Sequence, residues 1–334
     1  MKYYITLDGG TTNTRTILWN DAGEECGHAE RPVGIRDVAT TGSKQILCAA
    51  VQECVEGLLP QQHISFADIS CILSAGMITS DLGLYLLPHL AAPVGKKELA
   101  TGMKKVLMPE ICPVPFWFVP GIKNTTEKIT LENFAEMDIM RGEEVEMVAL
   151  MEQLASDRET IVVLPGSHSK FIALDKQQKI LGCETAMTGE IYSLLVTHSI
   201  LSGATDKIYA SKENYNKQMC LKGYETGRKL GMGRAAFSTR ILKNFAGISN
   251  TEAANFLLGV VLSSDIKVLE ENTFFAGRGI KPGIVLTGKE PFRQGLYDIL
   301  AMIHPAWQVS NVEPHCLNMS AQGCAILAKL RGII

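Results

Sequence analysis

The sequence predicts an α/β protein of two lobes, on three observations. The chain has 334 residues, 46% of them apolar, and a single hydrophobic core stops growing near ~250–300 residues. Predicted strands alternate with amphipathic helices in both halves, the pattern of layered α/β units. A strand, a turn of Gly, Ser and Thr, and a returning strand occur once in each half.

In the first half, Tyr3 to Leu7 reads as a strand, Gly9-Gly10-Thr11-Thr12-Asn13 as a tight polar turn and Thr14 to Trp19 as the returning strand. Helical spacing from Ile46 to Leu59 follows, then a strand at Ile69 to Leu73 leading into Ser74-Ala75-Gly76-Met77. Prolines at 88, 93, 109, 113, 115 and 120 predict loops and short strands there. Met147, Leu150, Met151 and Leu154 fall on one helical face, so a helix starts near Glu143-Glu144, with both carboxylates in its first turn where the dipole favours negative charge.

The second half opens with a strand at Ile161 to Leu164, the turn Pro165-Gly166-Ser167-His168-Ser169 and a strand from Lys170 to Asp175. Met187-Thr188-Gly189-Glu190 precedes a helical face of Ile191, Leu194, Leu195 and Leu201. Ser249 and Glu252 form a capping-box pattern ahead of another helix. Gly283 to Leu286 reads as a buried strand, Thr287-Gly288-Lys289 as its turn, Phe292 to Ile303 as a helix and Ser320 to Leu330 as the last one.

Lys plus Arg number 32 and Asp plus Glu 35, a formal charge of −3 without long like-charge runs, so no nucleic-acid partner is expected. The beginning of the chain lacks a secretory pattern and apolar stretches stop short of the ~20 residues that span a bilayer, so a cytoplasmic protein with no membrane partner is expected. Nine cysteines, at 26, 48, 54, 71, 112, 183, 220, 316 and 324, form no CxxC pair and no zinc-like spacing. They read as reduced, buried thiols.

Two hairpin tips of glycine and hydroxyl residues, at 9–14 and 165–169, have the parts to grip a polyphosphate, because glycine lets backbone N–H groups approach oxygen closely. Asp8, just before the first tip, is either a turn-forming residue or a carboxylate holding Mg²⁺ through water. Phosphoryl transfer to an alcohol needs a base, and Glu143 or Glu144 suits that role, with Lys170 or Arg15 as a cationic partner. A glutamate in a first helical turn also serves simply to stabilise the dipole.

These residues resemble the 2-dehydro-3-deoxygalactonokinase family of the actin/hexokinase/Hsp70-like ATPase superfamily. The likeness lies in Asp8-Gly9-Gly10-Thr11-Thr12-Asn13-Thr14-Arg15, Ala75-Gly76-Met77, Met140-Arg141-Gly142-Glu143-Glu144, Pro165-Gly166-Ser167-His168-Ser169-Lys170 and Met187-Thr188-Gly189-Glu190. It runs from about residue 3 to residue 330, in the family's order.

The resemblance implies two RNase H-like lobes with ATP in a cleft between them: residues 1–139 with the first phosphate loop, joined by a returning C-terminal helix at about 316–334, and 140–315 with the second phosphate loop and a nucleotide-base loop. It implies ATP and Mg²⁺ as cofactors and phosphorylation of 2-dehydro-3-deoxy-D-galactonate to its 6-phosphate. Asp8, Glu143 and Glu144 would be catalytic. Gly9, Gly10, Thr11, Thr12, Asn13, Arg15, Gly166, Ser167, His168, Gly288 and Lys289 would bind ATP, and Gly76, Met77, Arg141, Lys170, Thr188 and Glu190 the sugar acid. Homodimerisation stays open, as do a kinase for another keto-deoxy acid or a hexose, and a non-catalytic ATP sensor of the same fold.

Overall fold

Strand β1 (Tyr3–Gly9) carries four consecutive buried residues, Tyr4 to Leu7, as a strand with neighbours on both edges and layers on both faces requires. It pairs antiparallel with β2 (Thr14–Asn20) and parallel with a later strand. The computed structural model describes residues 2–154, 157–275, 281–313 and 318–334; Cys316 and the first two residues of the expected 316–334 stretch lie outside them.

After β2 come β3 (Glu25–Arg31), α1 (Ile35–Thr41), α2 (Gln45–Gln62), β4 (Ile69–Gly76), β5 (Leu90–Ala91), α3 (Lys96–Gly102), β6 (Lys104–Val106), β7 (Phe116–Phe118), β8 (Ile122–Lys123), β9 (Ile139–Met140) and α4 (Glu143–Leu150). There follow β10 (Thr160–Leu164), β11 (Ser169–Leu174), β12 (Ile180–Ala186), α5 (Thr188–Thr197), α6 (Ser202–Thr205), α7 (Lys217–Leu230), α8 (Met232–Ile241) and α9 (Asn250–Glu270). The chain closes with β13 (Gly283–Leu286), α10 (Phe292–Ile303), β14 (Val309–Asn311) and α11 (Met319–Arg331). No described helix is long and apolar enough to cross a membrane.

The chain divides into two units: Met1–Ala155 with Gln178–Ile180 and His315–Ile334, and Ser156–Gln177 with Leu181–Pro314. The first contains a six-stranded sheet ordered β3-β2-β1-β4-β7-β6 over a core that includes Ile5, Leu18, Leu47, Val51, Ile72 and Phe116. The second contains a five-stranded sheet ordered β12-β11-β10-β13-β14 over Val163, Phe171, Phe256, Leu257, Leu286 and Ile299. One order thus recurs: an antiparallel hairpin at the centre, then two parallel strands.

The unit boundary falls later than the expected 139/140, because α4 belongs to the first unit. Met147, Val148 and Leu150 bury its apolar face, and α11 crosses it so closely that a Cβ on Gly323 would lie 1.9 Å from Val145 O. Arg331 at the end of α11 donates to the Ala100 and Thr101 carbonyls and stacks 5.2 Å over Trp117. In the second unit α9 is apolar on nearly every side and begins at the expected Ser249–Glu252 box.

Helices α1, α3, α6, α7 and α8 have no counterpart in the sequence reading. In α7, Gly223 and Gly227 weaken the local helical signal, yet they let the α9 backbone come close: a Cβ on Gly223 would meet Phe256 O at 1.9 Å.

Two glycine replacements test this packing in opposite directions. Gly323→Ala should destabilise by roughly 1–3 kcal/mol through overpacking. Gly57→Ala, within α2 and with nothing within 4 Å of the new methyl, should stabilise by about 0.4–1 kcal/mol. Urea unfolding of both variants measures the two signs.

Candidate active site

In the first unit the β1–β2 hairpin closes with Gly10 N donating to Asn13 O at 2.9 Å, leaving Thr11 and Thr12 exposed at its tip. The first amides of α1, on Ile35 and Arg36, donate to Gly10 O and Thr11 O at 3.2 and 3.0 Å. Carbonyls that would repel a phosphate are thereby turned into the helix start.

Asp8 ends the buried part of β1, and burial raises its carboxyl above the usual range while Arg15 partly offsets this. Gly76, at the end of β4 with φ +83°, lies beside it: a Cβ there would sit 3.5 Å from Asp8 Oδ1. Gly142 has φ +117°, and its own Cβ position is 3.4 Å from Gly76 Cα. Both angles favour glycine, so three segments converge with α4 starting at once beyond them.

The two glutamates opening α4 have different surroundings. Glu143, half-buried, accepts from Arg141 N at 3.1 Å; Glu144, 0% exposed, accepts from Gly142 N at 2.6 Å through Oε2. Glu144 Oε1 has no hydrogen-bond partner among the described residues. Burial above all, then the neighbouring Glu143 charge, pushes the Glu144 carboxyl up to about 8, against the pull of its own and the Gly142 amides and of Arg141. Burial also raises the Cys324 thiol of α11, and the Glu144 and Asp8 carboxylates add to it, which brings both acids close to one buried sulfur.

In the second unit the same device recurs. Gly189 N and Glu190 N, in the first turn of α5, donate to Gly166 O and Ser167 O at 3.1 and 3.0 Å. His168 Nε2 meets Glu190 Oε2 at 2.7 Å, and both are solvent-accessible. Gly288, with φ +97°, rests against the hairpin base, its Cβ position 3.3 Å from Pro165 O, with Lys289 exposed beyond it. Residues 165–168, 188–190 and 287–289 therefore gather at the carboxyl ends of β10 and β13, where open α/β sheets bind ligands.

Several expected site residues are committed elsewhere. The Arg141 guanidinium donates to Thr79 O at 2.7 Å, to the Thr79 hydroxyl, to Leu87 O at 3.0 Å and to the His89 ring. It fastens the loop that follows Met77, and burial with the Arg141 and Lys123 charges holds His89 neutral, down at about 4. Thr188 is likewise turned inward, its hydroxyl 2.8 Å from both oxygens of Asp265. Lys170 is buried on β11 and donates to Thr185 Oγ1 at 2.8 Å. Asn13 and Arg15 both bond Glu30 Oε1, at 2.8 and 2.9 Å.

Thr79, His89 and Asp265 escaped the sequence reading, whereas Cys324 is the buried thiol it expected. Only Asp265 had a local signal, as an acid on the buried side of an otherwise apolar helical run.

The sequence profile of the 2-keto-3-deoxy-galactonokinase family matches residues 8–317. The chain belongs to that family. An Escherichia coli (strain K12) 2-dehydro-3-deoxygalactonokinase is 22% identical over 279 residues, 80% of either chain. A Rhizobium meliloti (strain 1021) protein provisionally given the same name is 26% identical over 205 residues, 60% of this chain and 59% of its own. A solved Sinorhizobium meliloti structure, also provisionally a 2-dehydro-3-deoxygalactonokinase, superimposes with a TM-score of 0.75 at 20% identity over 98% of both chains. Family membership makes this chain an ATP-dependent phosphotransferase.

The buried glutamate of this kinase has a consequence for stability. With its carboxyl near 8 when folded and an ordinary 4.5 when unfolded, the folded state holds the extra proton between those values, so this group's contribution falls as pH rises from about 5 to 8 and then levels. Glu144→Gln carries no such charge, so its melting temperature relative to wild type should climb across that window. Thermal melts at pH 5, 6, 7 and 8 showing a constant difference would contradict the burial.

Proposed function

We propose that this kinase transfers the γ-phosphoryl group of ATP to the 6-hydroxyl of 2-dehydro-3-deoxy-D-galactonate, with Glu144 as the base that receives the hydroxyl proton. The observation that carries the base assignment is the fully buried Glu144 carboxyl, with one oxygen unpartnered and its affinity for protons raised into the working pH range. Burying an ionisable group without a partner costs stability and such groups concentrate at functional sites. A base works best when its pKa lies near the operating pH.

Glu143 then tunes its neighbour, since its negative charge is the second contribution to the raised Glu144 carboxyl. Asp8 is the residue that would hold Mg²⁺, through water. A single carboxylate beside the hairpin tip suits an ion that takes one or two carboxylates and arrives with substrate phosphates. When bound, Mg²⁺ supplies neutralisation of charge on the transferring phosphoryl group.

The hairpin tips, Gly10 to Asn13 and Gly166 to His168, are read as the phosphate-binding elements, and Gly288 with Lys289 as a nucleotide contact. Lys170, Glu190 and the Gly76–Met77 turn stay candidates for the sugar acid. Arg141 acts on that turn indirectly, by bracing residues 79–89.

Coupled ADP release with Mg²⁺-ATP over 2-dehydro-3-deoxy-D-galactonate, its gluconate epimer, several aldohexoses and N-acetylglucosamine tests the substrate. Preference for the galactonate form is expected; preference for a neutral sugar overturns it, since a site built to pair a carboxylate rejects neutral analogues strongly. Glu144→Gln should lower kcat by about 10²-fold or more, and near-normal turnover there sinks the base assignment. In wild type kcat/KM should rise with pH toward about 8, and Glu143→Gln should shift that limb to lower pH.

A further inference from the structure

We propose that Asp265 is a positioning residue for the second hairpin, acting through Thr188. The proposal rests on the reading of residues 165–168 as a phosphate-binding element.

Asp265 lies on α9 between Leu262 and Ile266, 1% exposed, in a helix whose buried side chains are mostly apolar. Among the described residues no Lys, Arg or His pairs with it; the groups acting on its carboxyl are the Thr188 and Ser169 hydroxyls. Burial raises that carboxyl to about 7. A carboxylate buried without a counter-ion costs several kcal/mol, and a helix that needed only packing would be more stable with leucine there.

What the side chain holds explains its retention. Both oxygens accept from the Thr188 hydroxyl, each at 2.8 Å. Thr188 is the first residue of α5, and the next two amides are those that donate to Gly166 O and Ser167 O. Ser169, the first residue after the hairpin tip, acts on the same carboxyl, although its hydroxyl has no hydrogen-bond partner among the described residues. One buried carboxyl therefore secures the helix start that grips the hairpin. There is no slack between helix and hairpin, since a Cβ on Gly189 would fall 2.4 Å from Gly166 O. Small displacements of a phosphate-positioning element are costly to turnover.

The test is steady-state kinetics with ATP and the sugar acid varied separately, on variants whose melts confirm folding. Thr188→Val should raise KM for ATP about tenfold, the loss of one hydrogen bond to a charged group, while KM for the sugar acid stays within about twofold. Thr188→Ser and Asp265→Asn, which keep a donor and an acceptor, should stay near wild type. Asp265→Leu should match Thr188→Val, and the double variant should be no worse than either, as expected of residues acting in series.

Gly166→Val separates the two levels of the argument. If it leaves KM for ATP unchanged, the phosphate reading of the hairpin fails. If it raises KM while folded Thr188→Val does not, or if Thr188→Ser is as impaired as Thr188→Val, the hairpin stands and the positioning role is wrong. Should Asp265→Leu not fold, the Thr188 pair alone decides.

Discussion

Each hairpin tip is held by two backbone hydrogen bonds from the first turn of the helix that meets it: Ile35 and Arg36 to Gly10 and Thr11, Gly189 and Glu190 to Gly166 and Ser167. The first amides of a helix have no partner within it. Here they take up turn carbonyls, so the hydroxyls of Thr11, Thr12 and Ser167 stay at exposed tips. The arrangement depends on the repeated sheet order, which places a hairpin beside a parallel strand in both units. It also depends on close approach, as Gly189 shows by having no room for a methyl group.

Behind each tip the fold buries one acid. Glu144 and Asp265 are both raised by desolvation, to about 8 and about 7, and net stability of a domain is small enough that two such groups are a substantial burden. Their hydrogen bonding differs in kind. The two Asp265 oxygens share the single Thr188 hydroxyl proton, which suits a fixed strut, whereas Glu144 Oε1 has no hydrogen-bond partner among the described residues, which suits a group that exchanges a proton. Arg141 adds a third constraint by spending its donors on Thr79, Leu87 and His89, so the loop after Gly76 is tied to a residue two positions before Glu143.

Much of the site was legible because its signals are local. The glycine-hydroxyl turns, the carboxylates at a helix start and the Ser249–Glu252 cap each lie within a few residues and declare a backbone geometry by composition alone. Helices α7 and α8 were invisible for the opposite reason. Gly223 and Gly227 look like helix breakers until α9 is laid against them, when they become the residues that permit contact. Arg141 and Thr188 stand among candidate site residues in the chain, and only the fold shows that their side chains also bond partners 52 to 77 residues away.

The sequence by itself determined that strands, polar turns and amphipathic helices would alternate, that two hairpins would carry tips of glycine and hydroxyl residues, and which family the chain resembles. Those properties follow from short-range sterics and hydrophobic periodicity. The tertiary structure decided which glutamate is buried, which of the polar side chains are consumed by the scaffold, and that α4 joins the first unit. Each of these turns on desolvation and hydrogen bonding between segments distant in the chain, and such energies exist only once the segments have packed.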